Sequence, residues 1–194
     1  MSLPRLDPKT RAQLADALAR CPGPGGITAA LAGEAELGRL AALGDALFGA
    51  EALSRADWRY RLTRGHGFIL TLSKDERLLS YTVVELNARQ RRVYVVETGT
   101  EPGARGQGLG RLARRLMHGA VAWLGYRTVA THVRVSNTAA QRLNLSLGMA
   151  FQARVPGYYD DGEHAFAYRA RLDALELPPL FSGPAADPAA SPRR

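Results

Sequence analysis

Arg105, Gly106, Gln107, Gly108, Leu109 and Gly110 form a run suited to holding phosphate. Glycines lack a β-carbon and let backbone amides approach a ligand. Where such a run opens a helix, the unsatisfied first-turn amides and the helix dipole both favour negative charge. The spacing also says which phosphate compounds do not fit. A dinucleotide fingerprint needs a further glycine at Arg111, and a Walker loop needs Lys followed by Ser or Thr where Leu109 and Gly110 stand. The run predicts a cradle for a phosphorylated cofactor outside those two nucleotide classes.

The other reactive side chains narrow the chemistry further. Cys21 is the sole cysteine, which excludes an intrachain disulfide and a cysteine metal cluster and leaves a bystander thiol. His66, His118, His132 and His164 are scattered singly without metal-ligand spacing, so no metal is expected. The net charge of +8 raises nucleic-acid binding or proximity to the ribosome. Arg105, Arg111, Arg114 and Arg115 suit attraction to cofactor phosphates, or equally a solvated helix face. Arg89, Arg91 and Arg92 read as a solvated turn in preference to an RNA contact, because no aromatic stacking motif accompanies them.

Elements must position these groups. Residues 92–98 are β-branched and aromatic and precede Gly99, the pattern of a buried strand. Leu109, Leu112, Ala113, Leu116, Met117, Ala120, Val121 and Leu124 then recur at three- and four-residue spacing, which predicts a helix ended by Gly125, with Arg111, Arg114 and Arg115 off its apolar stripe. Residues 128–135 read as a second strand, and Ala140, Leu143 and Leu147 mark a short helix closed by Gly148. Upstream, residues 68–73 and 78–86 read as a hairpin around Lys74, Asp75 and Glu76. Strand alternation puts Tyr94, Val96 and Thr98 on one face and Val93, Val95 and Glu97 on the other. In the second strand Ala130, His132 and Arg134 oppose Val129, Thr131, Val133 and Val135.

A chain of 194 residues with 46% hydrophobic content can bury one core, and no internal period suggests a repeat protein. Three segments are expected: an N-terminal helical extension and linker over 1–24, a main domain over 25–175, and a disordered Pro/Ala/Ser-rich tail over 176–194. In the extension, Asp7 and Pro8 would cap a helix with Leu14 and Leu18 inward, before the break from Pro22 to Gly26. No stretch reads as a membrane span or signal peptide, so no membrane contact and a cytoplasmic location are expected.

Two motifs carry a family resemblance. Arg105-x-x-Gly108-x-Gly110 resembles the coenzyme A pyrophosphate loop of the GNAT acetyltransferase superfamily. Asn137-x-x-Ala140-x-x-Leu143, followed by Leu147-Gly148-Met149, resembles that superfamily's second motif. The likeness covers roughly residues 25–170. It implies an α/β (α+β) GNAT fold, in which a mixed, mostly antiparallel sheet is splayed at two central parallel strands and flanked by helices. It also implies acetyl-CoA as co-substrate, with no metal. Amides from Arg105 to Gly110, helped by Arg111, would hold the pyrophosphate. Val96, Thr98 and Thr100 on the first strand would line the cofactor, with a backbone amide near Val96 to Thr98 stabilising the oxyanion, and Asn137 and Asn144 would complete its site.

Tyr94, the segment from Thr131 to Asn137, and Gly157-Tyr158-Tyr159 resemble more narrowly the N-terminal (Nα) acetyltransferases, including the ribosomal-protein alanine type. That likeness implies that Tyr94 and His132 handle the amine proton. It also implies that Tyr158 and Tyr159 grip the first residues of a peptide and that Phe48 shapes the first-residue pocket. Ser54 and Asp57 look like a capping box opening the helix after Phe48. Glu97 ranks third as a base, because its phase puts it on the far face unless a bulge shifts the register. Asn144 departs from the family, many of whose members have a tyrosine there that protonates the leaving thiolate; asparagine has no acidic proton. The implied activity is direct transfer of an acetyl group to a primary amine, first of all a protein or peptide N-terminus. The alternatives are a small amine such as a polyamine, aminoglycoside or amino acid, and a non-catalytic acyl-CoA- or RNA-binding module.

Overall fold

The computed structural model describes residues 6–21, 23–63 and 66–178; of the tail expected over 176–194, residues 179–194 lie outside the described residues, as does Pro22 of the break. Asp7 caps α1 (Pro8–Ala19), its carboxylate accepting from the Thr10 amide at 3.0 Å. Leu14 and Leu18 of that helix are buried in the same apolar cluster as the sheet.

Seven strands follow in one sheet: β1 (Thr28–Leu31), β2 (Gly67–Lys74), β3 (Arg77–Asn87), β4 (Arg92–Thr100), β5 (Thr128–Arg134), β6 (Ala150–Val155) and β7 (Ala165–Arg171), in the spatial order β1-β2-β3-β4-β5-β7-β6. Neighbours are antiparallel except β4 and β5, which run parallel and pair only at Arg92–Thr128, Val93–Val129 and Tyr94–Ala130. Beyond Tyr94 the two strands part. The β2–β3 hairpin turns at Asp75 and Glu76, both at positive φ as a tight two-residue turn requires.

Helices cover both faces. On one, α4 (Leu109–Trp123) buries Leu109, Ala113, Leu116, Met117, Ala120 and Val121 against Phe68, Leu70, Val84, Val93 and Val95. On the other, α2 (Leu37–Phe48) and α3 (Arg55–Thr63) pack Leu40, Leu43 and Trp58 against Ile69, Tyr81 and Val83. The Ser54–Asp57 capping box opens α3, each side chain bonding the other residue's amide. A last helix, α5 (Thr138–Ser146), is capped by Asn137, whose side chain accepts from the Ala140 amide at 3.0 Å. Among the described residues no helix is long and apolar enough to cross a membrane.

Two sequence expectations are corrected. The β3–β4 register shifts between Val83 and Val84, whose partners are Glu97 and Val95, so Val96 is a bulge residue. Strand alternation therefore breaks there. Val96 and Glu97, which is bonded to Tyr81, both face α2, and Tyr94 lies in the cavity beside α3; Thr98, paired with Thr82, falls instead on the side of Thr100, which lies against Gly110 of α4. Arg114 is the second correction: it is only 3% exposed, buried on α4 with the apolar stripe and not on a solvated face.

Candidate active site

The glycine loop and the start of α4 form one wall. Gly106 and Gly108 adopt left-handed backbone at φ 78° and 77°, and a β-carbon at either would meet no atom within 4 Å. Glycine is needed there for conformation and not for space. The resulting turn starts α4 at Leu109 with no side chain capping its first-turn amides. Those amides, beside exposed Arg105 and Arg111, fit a pyrophosphate. Arg105 Nε donates to the Thr100 carbonyl, tying the loop to the end of β4, and Gln107 Nε2 to that of Gly103 in the turn between them, each at 3.4 Å.

The parting of β4 and β5 opens a cavity of about 540 Å³. Val96, Glu97 and Thr98 line one strand edge and Thr131, His132 and Arg134 the other. Arg114, Asn137 and Asn144 close the side toward α4 and α5, and Phe48 and Tyr159 the side toward α2. The expected site residues Val96, Thr98, His132, Asn137, Asn144, Phe48 and Tyr159 thus meet in one opening. Tyr94 lies beside it, in the wall of a second cavity of about 430 Å³ between α3 and the start of β4.

Tyr94 reaches His132 across the parting strands. Its hydroxyl lies 3.1 Å from His132 Nδ1 and 2.9 Å from the Tyr158 hydroxyl. The Tyr158 ring stacks on the imidazole, with centroids 4.4 Å apart. Burial pushes the His132 pKa below its usual 6.5, so the ring is neutral at physiological pH and able to accept a proton. Burial first, and then the bond to Tyr158, push Tyr94 well above the usual phenol range, so it stays protonated. A phenol bonded to a neutral imidazole can relay a proton without itself ionising.

Arg134 organises the far rim. Its guanidinium covers the Tyr159 ring at 3.9 Å and makes 2.8 Å ion pairs with Glu51, Asp161 and Glu163. These contacts tie the turn after Phe48 to the β6–β7 hairpin. The Ser136 amide, then Arg134, hold the Glu163 carboxyl down at about 2.

Several relationships escaped the sequence reading. The bulge brings Glu97 into the cavity, where it accepts a hydrogen bond from the Tyr81 hydroxyl; burial raises its pKa, opposed by that bond and by Arg61. Tyr158, expected as a peptide grip, also bonds Tyr94. Arg114 had a readable signal, since Met117, His118 and Val121 lie three, four and seven residues beyond it on one buried helix face.

Residues 40–149 match the model of the acetyltransferase (GNAT) family. The chain belongs to the GNAT acetyltransferase family. Solved structures share the GNAT fold at low identity. The ribosomal-protein-S18-alanine N-acetyltransferase of Escherichia coli aligns with a TM-score of 0.68 at 19% identity, over 75% of this chain and 94% of that one. NAA60 of Arabidopsis thaliana, crystallised with acetyl-CoA, aligns with a TM-score of 0.68 at 15% identity, over 75% and 99%. A protein provisionally assigned as a phosphinothricin N-acetyltransferase aligns with a TM-score of 0.66 at 16% identity, over 75% and 98%. No curated protein matches the sequence significantly. These GNAT structures share the fold while their described acceptors differ, so the acceptor must be argued from this chain's own site.

Proposed function

We propose that this GNAT acetyltransferase moves an acetyl group from acetyl-CoA to the free N-terminus of a peptide or protein, by direct transfer in a ternary complex. The observation that carries the reading is the Tyr94–His132 pair, in contact at 3.1 Å beside an opening lined by Phe48 and Tyr159, with Tyr158 stacked on His132. The descriptions of the Escherichia coli S18-alanine enzyme and of the NatC complex bound to a Gag peptide and CoA support a peptide acceptor by analogy.

Acetyl-CoA supplies an activated thioester. The amides from Arg105 to Gly110 hold its pyrophosphate, with Arg105 and Arg111 adding charge. Val96, Thr98 and Thr100 line its arm, Asn137 supports the same wall, and a β4 amide near the Val96 bulge receives the developing oxyanion. Tyr94 passes a proton from the substrate ammonium to His132. An α-ammonium with a pKa of about 8 needs little help near neutral pH, unlike a lysine at about 10.4. Phe48 and Tyr159 flank the first residue.

A small polyamine is the second reading, favoured by Glu51, Glu97, Asp160 and Asp161 in the cavity wall. Arg134 already pairs with Glu51 and Asp161, and Glu97 is bonded to Tyr81, which weighs against it. The test measures CoA release from acetyl-CoA with peptide pairs that differ only in a free or blocked N-terminus. Release that requires the free terminus supports the peptide reading. Release only with polyamines overturns it, and acetyl-CoA binding without release to any amine leaves a non-catalytic module.

A further inference from the structure

Arg114 is chemically out of keeping with the helix that carries it. It is 3% exposed, yet among the described residues no carboxylate bonds it and Nε has no partner: Nη2 donates to Asn144 Oδ1 at 3.1 Å and to Met149 Sδ at 3.2 Å. Burial lowers its pKa only to about 10, so it remains a cation at neutral pH. A buried cation without an anion is costly to keep, and its retention points to an anion that arrives during function.

The surroundings say where that anion would be. Arg114 stands one helical turn after Gly110 and lines the β4–β5 opening together with Thr98, His132 and Asn144. It therefore lies between the amides of the glycine loop and the Tyr94–His132 pair. A thioester anchored at the first and reacting at the second must carry its sulfur between them. Asn144 is 2% exposed and its carbonyl oxygen is engaged by Arg114, so its visible role is to hold the guanidinium. His118, one turn further along, is driven down to about 3 by burial and by Arg114, and adds no charge. Glu97 is the carboxylate of β4 in the opening, and it is bonded to Tyr81 on the α2 side.

We propose that Arg114, held by Asn144, is a catalytic residue that stabilises the thiolate of coenzyme A as the acetyl group leaves it. The inference rests on the acetyl-CoA reading above. The amine nitrogen forms a bond to the acetyl carbon, the carbon–sulfur bond breaks, and its electron pair stays on sulfur as a thiolate paired with the guanidinium. Arg114 gives up no proton. Of the two protons that the ammonium gives up, the first goes to His132 through Tyr94 before attack and the second passes to water as the amide forms; the thiolate takes one from water after release. A cation thus substitutes for the acid that asparagine cannot be.

The test titrates the thiol of coenzyme A bound to the full chain, read from the ultraviolet absorbance that separates thiolate from thiol. Free coenzyme A titrated under the same conditions gives the reference value, and a neighbouring cation should lower the bound value below it by about one unit or more. Arg114→Met should return it to the free value or above, and Arg114→Lys should keep part of the shift. A wild-type bound thiol that titrates at or above the free value overturns the proposal, whether or not the variants fold. So does a lowered value that Arg114→Met, shown to be folded by circular dichroism, leaves unchanged. Failure of coenzyme A to bind the wild type at all sinks the acetyl-CoA reading itself.

Discussion

Tyr94 is the last β4 residue paired with β5, and His132 stands two residues beyond its partner Ala130, where the strands have already parted. Their 3.1 Å contact spans the mouth of the splay. Two groups on diverging strands stay in reach because the phenol is long and Tyr158 braces both, bonding one and stacking on the other. Loss of the imidazole should therefore remove the proton acceptor and leave the glycine loop untouched. His132→Ala is expected to lower kcat by roughly 10²- to 10⁴-fold with little change in acetyl-CoA affinity, and Tyr94→Phe to lower it less. Steady-state kinetics with calorimetric binding checks this; equal losses of turnover and affinity would make His132 structural.

The pH profile follows from the same pair. Burial lowers the His132 pKa below 6.5, so the accepting, neutral form is present above that lowered value and lost as pH falls through it. The kcat profile should have an acid limb below 6.5 that disappears in His132→Ala. Glu97 offers a direct contrast, because burial raises its carboxyl from the ordinary 4.5 and its oxygen is engaged by Tyr81. His132→Ala should cost more turnover than Glu97→Gln. The reverse order, with the limb retained in His132→Ala, would transfer the base role to Glu97.

The contrast between those two residues also shows how far the sequence could be read. The α4 stripe, the two motifs and the alternation of β5 were legible because each depends on local spacing, and Val129, Thr131 and Val133 are buried as a period of two requires. The bulge at Val96 was not legible, since one unpaired residue depends on how β3 pairs with β4 and leaves no mark in composition. It reversed the expected side of Glu97. The Arg134 ion pairs join residues from three separate segments, a contact set that no short window contains. Arg114 was misread because charge outweighed its helical phase.

Gly108 tests the cradle. Its φ of 77° is unfavourable for a residue with a β-carbon, although the space around it is open. Gly108→Ala should cost about 1–2 kcal/mol in stability if the backbone keeps its shape. If the turn relaxes instead, the first-turn amides are misdirected and acetyl-CoA affinity falls. Thermal denaturation and acetyl-CoA titration together read the two effects. A variant unchanged in both would show that the left-handed turn is not required for the cradle.

Arg134 tests the rim. It joins Glu51 from the turn after α2 to Asp161 and Glu163 of the β6–β7 hairpin, and it stacks on Tyr159. Arg134→Met should release both loops and raise the acceptor KM on the order of tenfold, with a smaller effect on kcat and none on acetyl-CoA binding. The pH window is set by Glu163, whose carboxyl falls from 4.5 to about 2. A depressed carboxyl stabilises the fold above its unfolded value and loses that contribution as pH drops through the folded one. The rim should therefore stay closed down to about pH 4.5 and open between there and about 2. Hydrogen exchange of the β6–β7 hairpin against pH would read this, in wild type and Arg134→Met. A hairpin equally protected in both proteins would mean that Arg134 does not hold the rim.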